Sequence, residues 1–271
     1  MADRLAMYID TSKCMACRGC QVACKQWNDR KGYVPGERET HNTGSYENPP
    51  KLDPETWTRI KFREYDDGQR FQWLFLNEGC MHCAEAACVD ACPTAALKHG
   101  PQGIVTYERD LCNGCGYCSQ FCPFQIPQLE VINRLTGEAK SSKCVFCQDR
   151  TTNGLEPACV KTCPANALGW GDRNEMITKA KTRVEVLKAD WGFPEANVYG
   201  ETQLGGLGRI YVLTAPLAAY DLPEDPAYPV MATFWQKVLQ PVGGVALTII
   251  TLGAFVAYLI SRQHIEMEKV E

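Results

Sequence analysis

Alternating hydrophobic and polar residues predict a pair of strands in the first third of the chain. Residues 58–65 (TRIKFREY) and 70–76 (RFQWLFL) alternate between hydrophobic and polar side chains in the manner of strands, which have a period of two when one face is buried. The intervening DDGQ supplies the aspartate and glycine of a tight turn, so a hairpin is expected. Residues 28–56 are rich in glycine, proline, asparagine and charge. They are expected to form a long ordered loop or a partner contact.

A helical period replaces the alternation at residues 174–190. Four apolar residues, Ile177, Ala180, Val184 and Leu187, recur on one helical face of this segment. The pattern predicts a helix that packs this apolar face on the body of the protein.

The last apolar run is long enough to cross a membrane. From Val238 to Ser261 there are 24 residues without a charge, which as a helix would span about 36 Å at about 1.5 Å per residue. Lys237 and Arg262 bracket the run, with Trp235 and Tyr258 near its ends, as interfacial residues do. A buried core helix is the alternative, but few soluble helices are apolar on all sides over this length. The run therefore predicts one transmembrane helix.

Composition allows a folded body but gives no sign of a nucleic-acid surface. The 271 residues are 45% hydrophobic and 22% charged, with a formal net charge of −4, which is ordinary for a globular chain and lacks the basic excess that nucleic-acid binding requires. The unusual feature is the cysteine content, which is 16 residues.

All of these cysteines fall into four groups of four, here called quartets one to four in chain order. The quartets are Cys14, Cys17, Cys20 and Cys24; Cys80, Cys83, Cys88 and Cys92; Cys112, Cys115, Cys118 and Cys122; and Cys144, Cys147, Cys159 and Cys163. A disulfide scaffold would be a short secreted chain with a signal peptide. The opening MADRLAMYIDTSKC has neither an apolar core region nor a twin arginine, so disulfides are not expected.

The spacings point to 4Fe-4S clusters. Quartets one and three read C-x2-C-x2-C-x3-C, the bacterial ferredoxin signature, whereas quartets two and four widen the middle gap to four and eleven residues. Proline follows the last cysteine in three quartets, at Pro93, Pro123 and Pro164, and Lys25 takes that place in quartet one. Structural zinc sites usually pair two separated CxxC or histidine motifs, which is a poor match. Sixteen thiolates would hold four 4Fe-4S clusters.

In this signature the fourth cysteine binds the other cluster of a pair, so the quartets are expected to exchange their last cysteines. Quartets two and three lie only 19 residues apart and form one pair, which leaves quartets one and four as the other. The predicted ligand sets are Cys14, Cys17, Cys20 and Cys163; Cys144, Cys147, Cys159 and Cys24; Cys80, Cys83, Cys88 and Cys122; and Cys112, Cys115, Cys118 and Cys92.

Short repeats around the quartets support units of similar structure. RLAMYIDTSKC and GIVTYERDLC are expected to be strands that run into a cysteine loop. CPTAAL, from Cys92, and CPANAL, from Cys163, are expected to begin short helices, because proline fits the first helical turn.

The predicted fold is α+β: two interleaved bacterial-type ferredoxin-like units, each for two 4Fe-4S clusters, with insertions and one C-terminal transmembrane helix. The expected divisions are a four-cluster domain at 1–235, with quartets one and four at about 1–30 and 141–172 and quartets two and three at about 78–130, a transmembrane helix at 236–262 and a tail at 263–271.

No second chemistry is visible in the sequence. His82 lies inside the CMHC motif and is expected to donate a hydrogen bond near a cluster rather than to bind iron. GGLGR at 205–209 is not GxGxxG, and the following IYVLTA resembles a strand, so no nucleotide site is expected. The chain is predicted to carry electrons and to hold no catalytic site. Six cations flank cysteines and could raise cluster potentials or be solvated: Lys13, Arg18, Lys25, Lys143, Arg150 and Lys161.

Several motifs resemble a known family. These are CMACRGCQVACKQWN from Cys14, GCMHC at 79–83, CNGCGYCSQFCPFQIP at 112–127, KCVFCQDR at 143–150 and EPACVKTCPANAL at 156–168. With the final span opened by FWQKVLQP, they resemble the iron–sulfur β subunits of membrane-bound formate dehydrogenases, in the molybdopterin oxidoreductase superfamily.

The resemblance implies a complex of three kinds of subunit. A large α subunit would oxidise formate at a molybdenum or tungsten pterin site, this chain would carry the electrons, and a cytochrome b γ subunit would pass them to quinone. The chain would be exported with α, so its cluster domain would lie on the periplasmic face of a bacterial inner membrane and its C-terminus in the cytoplasm. The alternative is a sibling complex, above all a periplasmic nickel–iron hydrogenase, whose ferredoxin-like subunit commonly carries its own export signal.

Overall fold

The structure, a computed structural model, describes residues 4–32, 46–68, 70–229, 234 and 238–263. The chain divides into two compact units, Met1–Tyr228 and Pro229–Glu271.

Within its described residues, the first unit contains ten strands and six helices. The strands are β1 (Leu5–Asp10), β2 (Thr58–Asp66), β3 (Phe71–Gly79), β4 (Leu97–His99), β5 (Val105–Tyr107), β6 (Gln128–Asn133), β7 (Glu138–Ser142), β8 (Leu168–Asp172), β9 (Asn197–Tyr199) and β10 (Arg209–Leu213). The helices are α1 (Gly19–Trp27), α2 (Ala87–Asp90), α3 (Tyr117–Gln120), α4 (Gln148–Thr151), α5 (Ala158–Lys161) and α6 (Arg173–Asp190).

A four-stranded sheet with the order β8-β1-β10-β9 joins the two ends of this unit. Strand β1 pairs in parallel with β10, with Met7 beside Arg209, and antiparallel with β8, with Tyr8 beside Gly169. Because β1 leads into quartet one and β8 follows quartet four, the sheet brings these quartets together although more than a hundred residues separate them in the chain.

The two faces of the sheet have different partners. On one face Tyr8 and Val212 pack with the apolar side of α6, where Ala180 and Leu187 are fully buried. On the other face Met7 belongs to the larger core, which contains many of the cysteines. The predicted helix and its buried face are therefore confirmed.

The predicted hairpin is confirmed as β2 and β3, which pair antiparallel from Thr58 opposite Gly79 to Asp66 opposite Phe71. Its inner residues Ile60 and Leu74 are buried in the larger core. The hairpin ends at Gly79, directly before Cys80, the first cysteine of quartet two. The long loop predicted at 28–56 includes residues 33–45, which lie outside the described part of the chain.

The prediction that the fourth cysteine and its proline begin a helix is wrong. The amides of Ala95, Gln125 and Asn166 donate to the carbonyl oxygens of the fourth cysteines at 3.4, 2.9 and 3.3 Å, so the proline occupies the second position of a β-turn. These three residues have φ values of 53°, 53° and 48°, in the left-handed region, which ends any helix. Strands β4, β6 and β8 follow the turns.

Short helices instead carry the third cysteine of each quartet. Cys88 lies in α2, Cys118 in α3 and Cys159 in α5, while α1 contains both Cys20 and Cys24. Where the other quartets have proline, quartet one has Lys25, which retains a backbone N–H, and α1 continues to Trp27.

The second unit contains one long helix, α7 (Gln240–Gln263). Its segment Gln240–Arg262 has 23 residues and a mean hydropathy of 2.1, and none of its side chains is buried. At about 1.5 Å per residue it is long enough to cross a bilayer. By length and composition this agrees with the predicted span; Trp235 and Lys237 lie outside the described residues.

Candidate iron–sulfur cluster sites

The first CxxC of every quartet forms the same kind of loop. The residue before its second cysteine has a positive φ in all four cases: Ala16 (54°), His82 (48°), Gly114 (75°) and Phe146 (52°). A left-handed residue other than glycine is disfavoured by about 1 kcal/mol or more, so its recurrence indicates a common geometric requirement. The Phe146 amide lies 3.4 Å from Cys144 Sγ, which shows that the loop turns an N–H toward a thiol.

The first candidate site, set A, contains Cys14, Cys17, Cys20 and Cys163. These four residues line one small cavity. The first two lie on the loop after β1, the third in the first turn of α1 and the fourth after α5. Burial is the main reason that the pKa of Cys20 is raised to about 11, and the neighbouring Cys14 adds to it. Asn77 Nδ2 donates to Cys20 Sγ at 3.1 Å.

The second site, set B, contains Cys24, Cys144, Cys147 and Cys159. They line a separate small cavity together with Arg209, and all four are buried. Burial, followed by the charges of its three set-B neighbours, raises the pKa of Cys24 well above its usual value.

The third site, set C, contains Cys80, Cys83, Cys88 and Cys122. Their proximity is seen at Cys83, whose pKa is raised by burial and then by the charges of the other three thiols. Cys122 joins them from quartet three: burial, and then the charge of Cys80, raise its pKa to about 11.

The fourth site, set D, contains Cys92, Cys112, Cys115 and Cys118. Burial raises the pKa of Cys118, and the charges of the other three thiols add to the increase. The hairpin of β6 and β7 closes this site, since the amide of Ser141 points to Cys112 Sγ at 3.4 Å. The structure thus brings together the four predicted sets, each with one cysteine from its partner quartet.

The sets fit multi-iron clusters better than single ions. Among the described residues, no group of three or more His, Cys, Asp and Glu side chains could hold one metal ion. A single zinc ion would require all its thiolates at about 2.3 Å, whereas a cube presents its irons at separate corners. Two buried donors near the sets, His82 Nε2 and Arg209 Nε, have no acceptor among the described residues, as expected where cluster sulfur supplies it.

Some thiols of different sets lie close to one another. Cys20 of set A contributes to the raised pKa of Cys159 in set B, and Cys80 of set C does so for Cys144 of set B. These contributions are smaller than that of burial, but they identify adjacent thiols.

Sets C and D also have neighbouring thiols, since Cys118 adds to the effect of burial on the pKa of Cys88. Sets A and D each have one exposed cysteine, Cys17 in set A and Cys115 in set D.

Two rings bridge sets B and C. His82 stacks on Phe146 with 3.8 Å between ring centroids and 13° between the planes. His82 Nδ1 accepts the Val105 amide at 3.1 Å, so Nε2 carries the proton of the neutral ring. The expectation of a hydrogen-bond donor beside a cluster agrees with this geometry.

Of the six flanking cations, Lys143 is the one buried against the sites, at 1% exposure. Its Nζ donates to the carbonyl oxygens of Val105 at 2.7 Å and Cys144 at 3.0 Å. Lys13 and Lys161, in contrast, are exposed at the surface.

The sequence did not reveal Arg209 and Asn77 as site residues. Arg209 Nη1 donates to Asn77 Oδ1 at 2.6 Å across 132 residues of chain. The one local signal was a charged residue at the start of an otherwise apolar strand, in the GGLGR segment.

Comparison with known proteins agrees with these sites. Two family models, both described as a 4Fe-4S dicluster domain, match residues 13–96 and 71–173. Together they span the sixteen cysteines, which fit four 4Fe-4S clusters, and they confirm the predicted ferredoxin-like fold class.

Relatives are similar over nearly the whole chain. The formate dehydrogenase iron-sulfur subunit of Haemophilus influenzae is 38% identical over 271 residues, covering 98% of this chain and 83% of the relative. The nitrate-inducible formate dehydrogenase iron-sulfur subunit of Escherichia coli is 38% identical over 259 residues, covering 94% and 84%. The formate dehydrogenase 2 subunit beta (cytochrome c-553) of Nitratidesulfovibrio vulgaris is 34% identical over 202 residues, covering 71% and 87%. The resemblance seen in the motifs is thereby confirmed, and the chain belongs to the family of formate dehydrogenase iron–sulfur subunits.

Proposed function

We propose that this chain carries electrons through four 4Fe-4S clusters, one in each cysteine set. When bound, each cluster supplies a centre that accepts and releases one electron. The protein contributes the thiolates, the inward N–H groups and a body that excludes water. The proposed ligands are Cys14, Cys17, Cys20 and Cys163 in set A; Cys24, Cys144, Cys147 and Cys159 in set B; Cys80, Cys83, Cys88 and Cys122 in set C; and Cys92, Cys112, Cys115 and Cys118 in set D.

The placement of the sets supports the order A–B–C–D. Adjacent sets share close thiols, and the stacked His82 and Phe146 lie at the middle junction. Set B is wholly buried, whereas sets A and D each reach the surface through one cysteine. Electrons would therefore enter at one end set and leave at the other. A chain that serves only in transfer needs no catalytic site of its own, and we propose none here.

The partners follow from the relatives, which are subunits of formate dehydrogenases. The electron donor would be a large catalytic α subunit with a molybdenum or tungsten pterin, and the acceptor a cytochrome b γ subunit that reduces quinone. We assign residues 1–235 to the four-cluster domain, 236–262 to the membrane anchor and 263–271 to a tail.

An exposed apolar helix of 23 residues supports the anchor. The proposed location is the bacterial inner membrane, with the cluster domain on the periplasmic face and the C-terminus in the cytoplasm.

The observation that carries the proposal is the gathering of sixteen cysteines from four quartets into four crossed sets. Its test uses the native complex, solubilised anaerobically, with EPR spectra recorded after adding formate to one sample and hydrogen to another. Formate should reduce the iron–sulfur clusters of this chain, as detected by their EPR signals. Reduction by hydrogen alone would assign the chain to a hydrogenase complex, and no reduction by either, while dithionite still reduces the clusters, would overturn the formate assignment.

A further inference from the structure

A fully buried arginine lies against set B. Arg209 begins β10, is 1% exposed and lines the same cavity as Cys24, Cys144, Cys147 and Cys159. Gly79 leaves room for its guanidinium, because a Cβ atom there would lie 2.9 Å from Arg209 Cζ and 3.0 Å from the Trp57 carbonyl oxygen. The cation is therefore held in place by the close packing of β3 and β10.

The charge of Arg209 has no carboxylate partner. Among the described residues, none of the ion pairs includes it, and its Nε has no hydrogen-bond acceptor. An uncompensated buried charge is strongly destabilising. Cys144 and Cys159 line the same cavity as Arg209, so their thiolates are placed to balance its charge when a cluster is bound.

The guanidinium also contacts a neighbour of set A. Its Nη1 donates to Asn77 Oδ1 at 2.6 Å, and Asn77 Nδ2 donates in turn to Cys20 Sγ at 3.1 Å. A cation on the oxygen of an amide polarises it and strengthens the hydrogen bond that its N–H donates. Arg209 is therefore coupled directly to set B and, through one amide, to set A.

We propose that Arg209 raises the reduction potential of the set-B cluster strongly and that of the set-A cluster weakly. A 4Fe-4S cube with four thiolates is an anion that gains one further negative charge on reduction, so a fixed buried cation favours the reduced state. Electron transfer from the set-A cluster to the set-B cluster thereby becomes more favourable. The inference rests on the proposed assignment of clusters to these sets.

The test is an anaerobic redox titration of the complex followed by EPR, comparing wild type with R209Q and R209K. The set-B signal is identified as the one altered in C147S. In R209Q the midpoint potential of that signal should fall by about 59 mV or more, which is a tenfold loss in the equilibrium constant for reduction. R209K keeps the charge and should shift it less. The signals of sets C and D should remain where they are.

R173Q is the matched control, because Arg173 is a partly buried arginine near the same sheet whose hydrogen bonds all go to backbone carbonyl oxygens of Gly200, Glu201 and Leu207. It should leave all four potentials unchanged. If R209Q fails to assemble, N77D retains the test, since an aspartate at this position would neutralise the guanidinium and remove the donor to Cys20. It should lower the potentials of sets A and B together.

An unchanged set-B potential in R209Q or N77D, or an equal shift of all four signals, would overturn the inference. A wild-type protein with fewer than four cluster signals would instead contradict the proposed function. The two failures are therefore distinguishable.

Discussion

Cys24 follows Cys20 by one turn of α1, yet the two thiols face different cavities. Cys20 lines the set-A cavity with Cys163, whereas Cys24 lines the set-B cavity with Cys144. One helix thus serves two sites, because residues four apart lie on the same side of a helix but one turn along it. The cavities are separate and follow each other along one face of α1.

This arrangement predicts the outcome of replacing single cysteines. C24S should alter or abolish the EPR signal of set B and leave the set-A signal in place, although Cys24 belongs to the sequence motif of quartet one. C163S is the paired control: it should alter or abolish the set-A signal and leave the set-B signal in place. Altered set-A and unaltered set-B signals in C24S would show that the exchange of fourth cysteines is wrong.

Exposure of the thiols predicts the order in which iron is lost. Sets A and D have one exposed cysteine each, Cys17 and Cys115, while every cysteine of set B is buried. With ferricyanide and a chelator, the signals of sets A and D should disappear first and that of set B last, as followed by EPR over time. Loss of set B before the two end sets would contradict the described burial.

The close approach of β3 to Arg209 predicts a cost for enlarging Gly79. In G79A the added methyl group would meet Arg209 Cζ and the Trp57 carbonyl oxygen. Overpacking of this kind is destabilising by about 1–3 kcal/mol, and the Tm measured by calorimetry should fall. G32A is the control, because a Cβ at Gly32 has no neighbour within 4 Å in the described part of the chain. Equal Tm values for the two variants would show that this contact is not limiting.

The apolar helix α7 predicts sensitivity to charge at its centre. An arginine at the middle of a membrane helix is unfavourable by about 2.5–3.5 kcal/mol, so L252R should reduce the fraction of chain that resists alkaline extraction from membranes. S261R places the same charge at the end of the span, where it can reach the interface, and should remain membrane-bound. If L252R is retained as well as S261R, α7 does not cross the bilayer.

Local patterns predicted much of this structure. The β2–β3 hairpin and the buried face of α6 follow from periods of two and 3.6 residues. These features depend on neighbours in sequence, so the sequence was sufficient to find them.

Two other features were not predictable in this way. Proline after a fourth cysteine suits either a helical first turn or the second position of a β-turn, and the left-handed residues Ala95, Gln125 and Asn166 select the turn. The contact of Arg209 with Asn77 joins residues 132 apart. It depends on the packing of β3 against β10, which no short motif encodes.

The most direct test of the four-cluster account is iron and sulfide analysis of the anaerobically purified chain, combined with Mössbauer spectroscopy. Four 4Fe-4S clusters predict about sixteen iron and sixteen sulfide ions per chain, all in cubane-type centres. About eight of each, or zinc in place of iron, would contradict it.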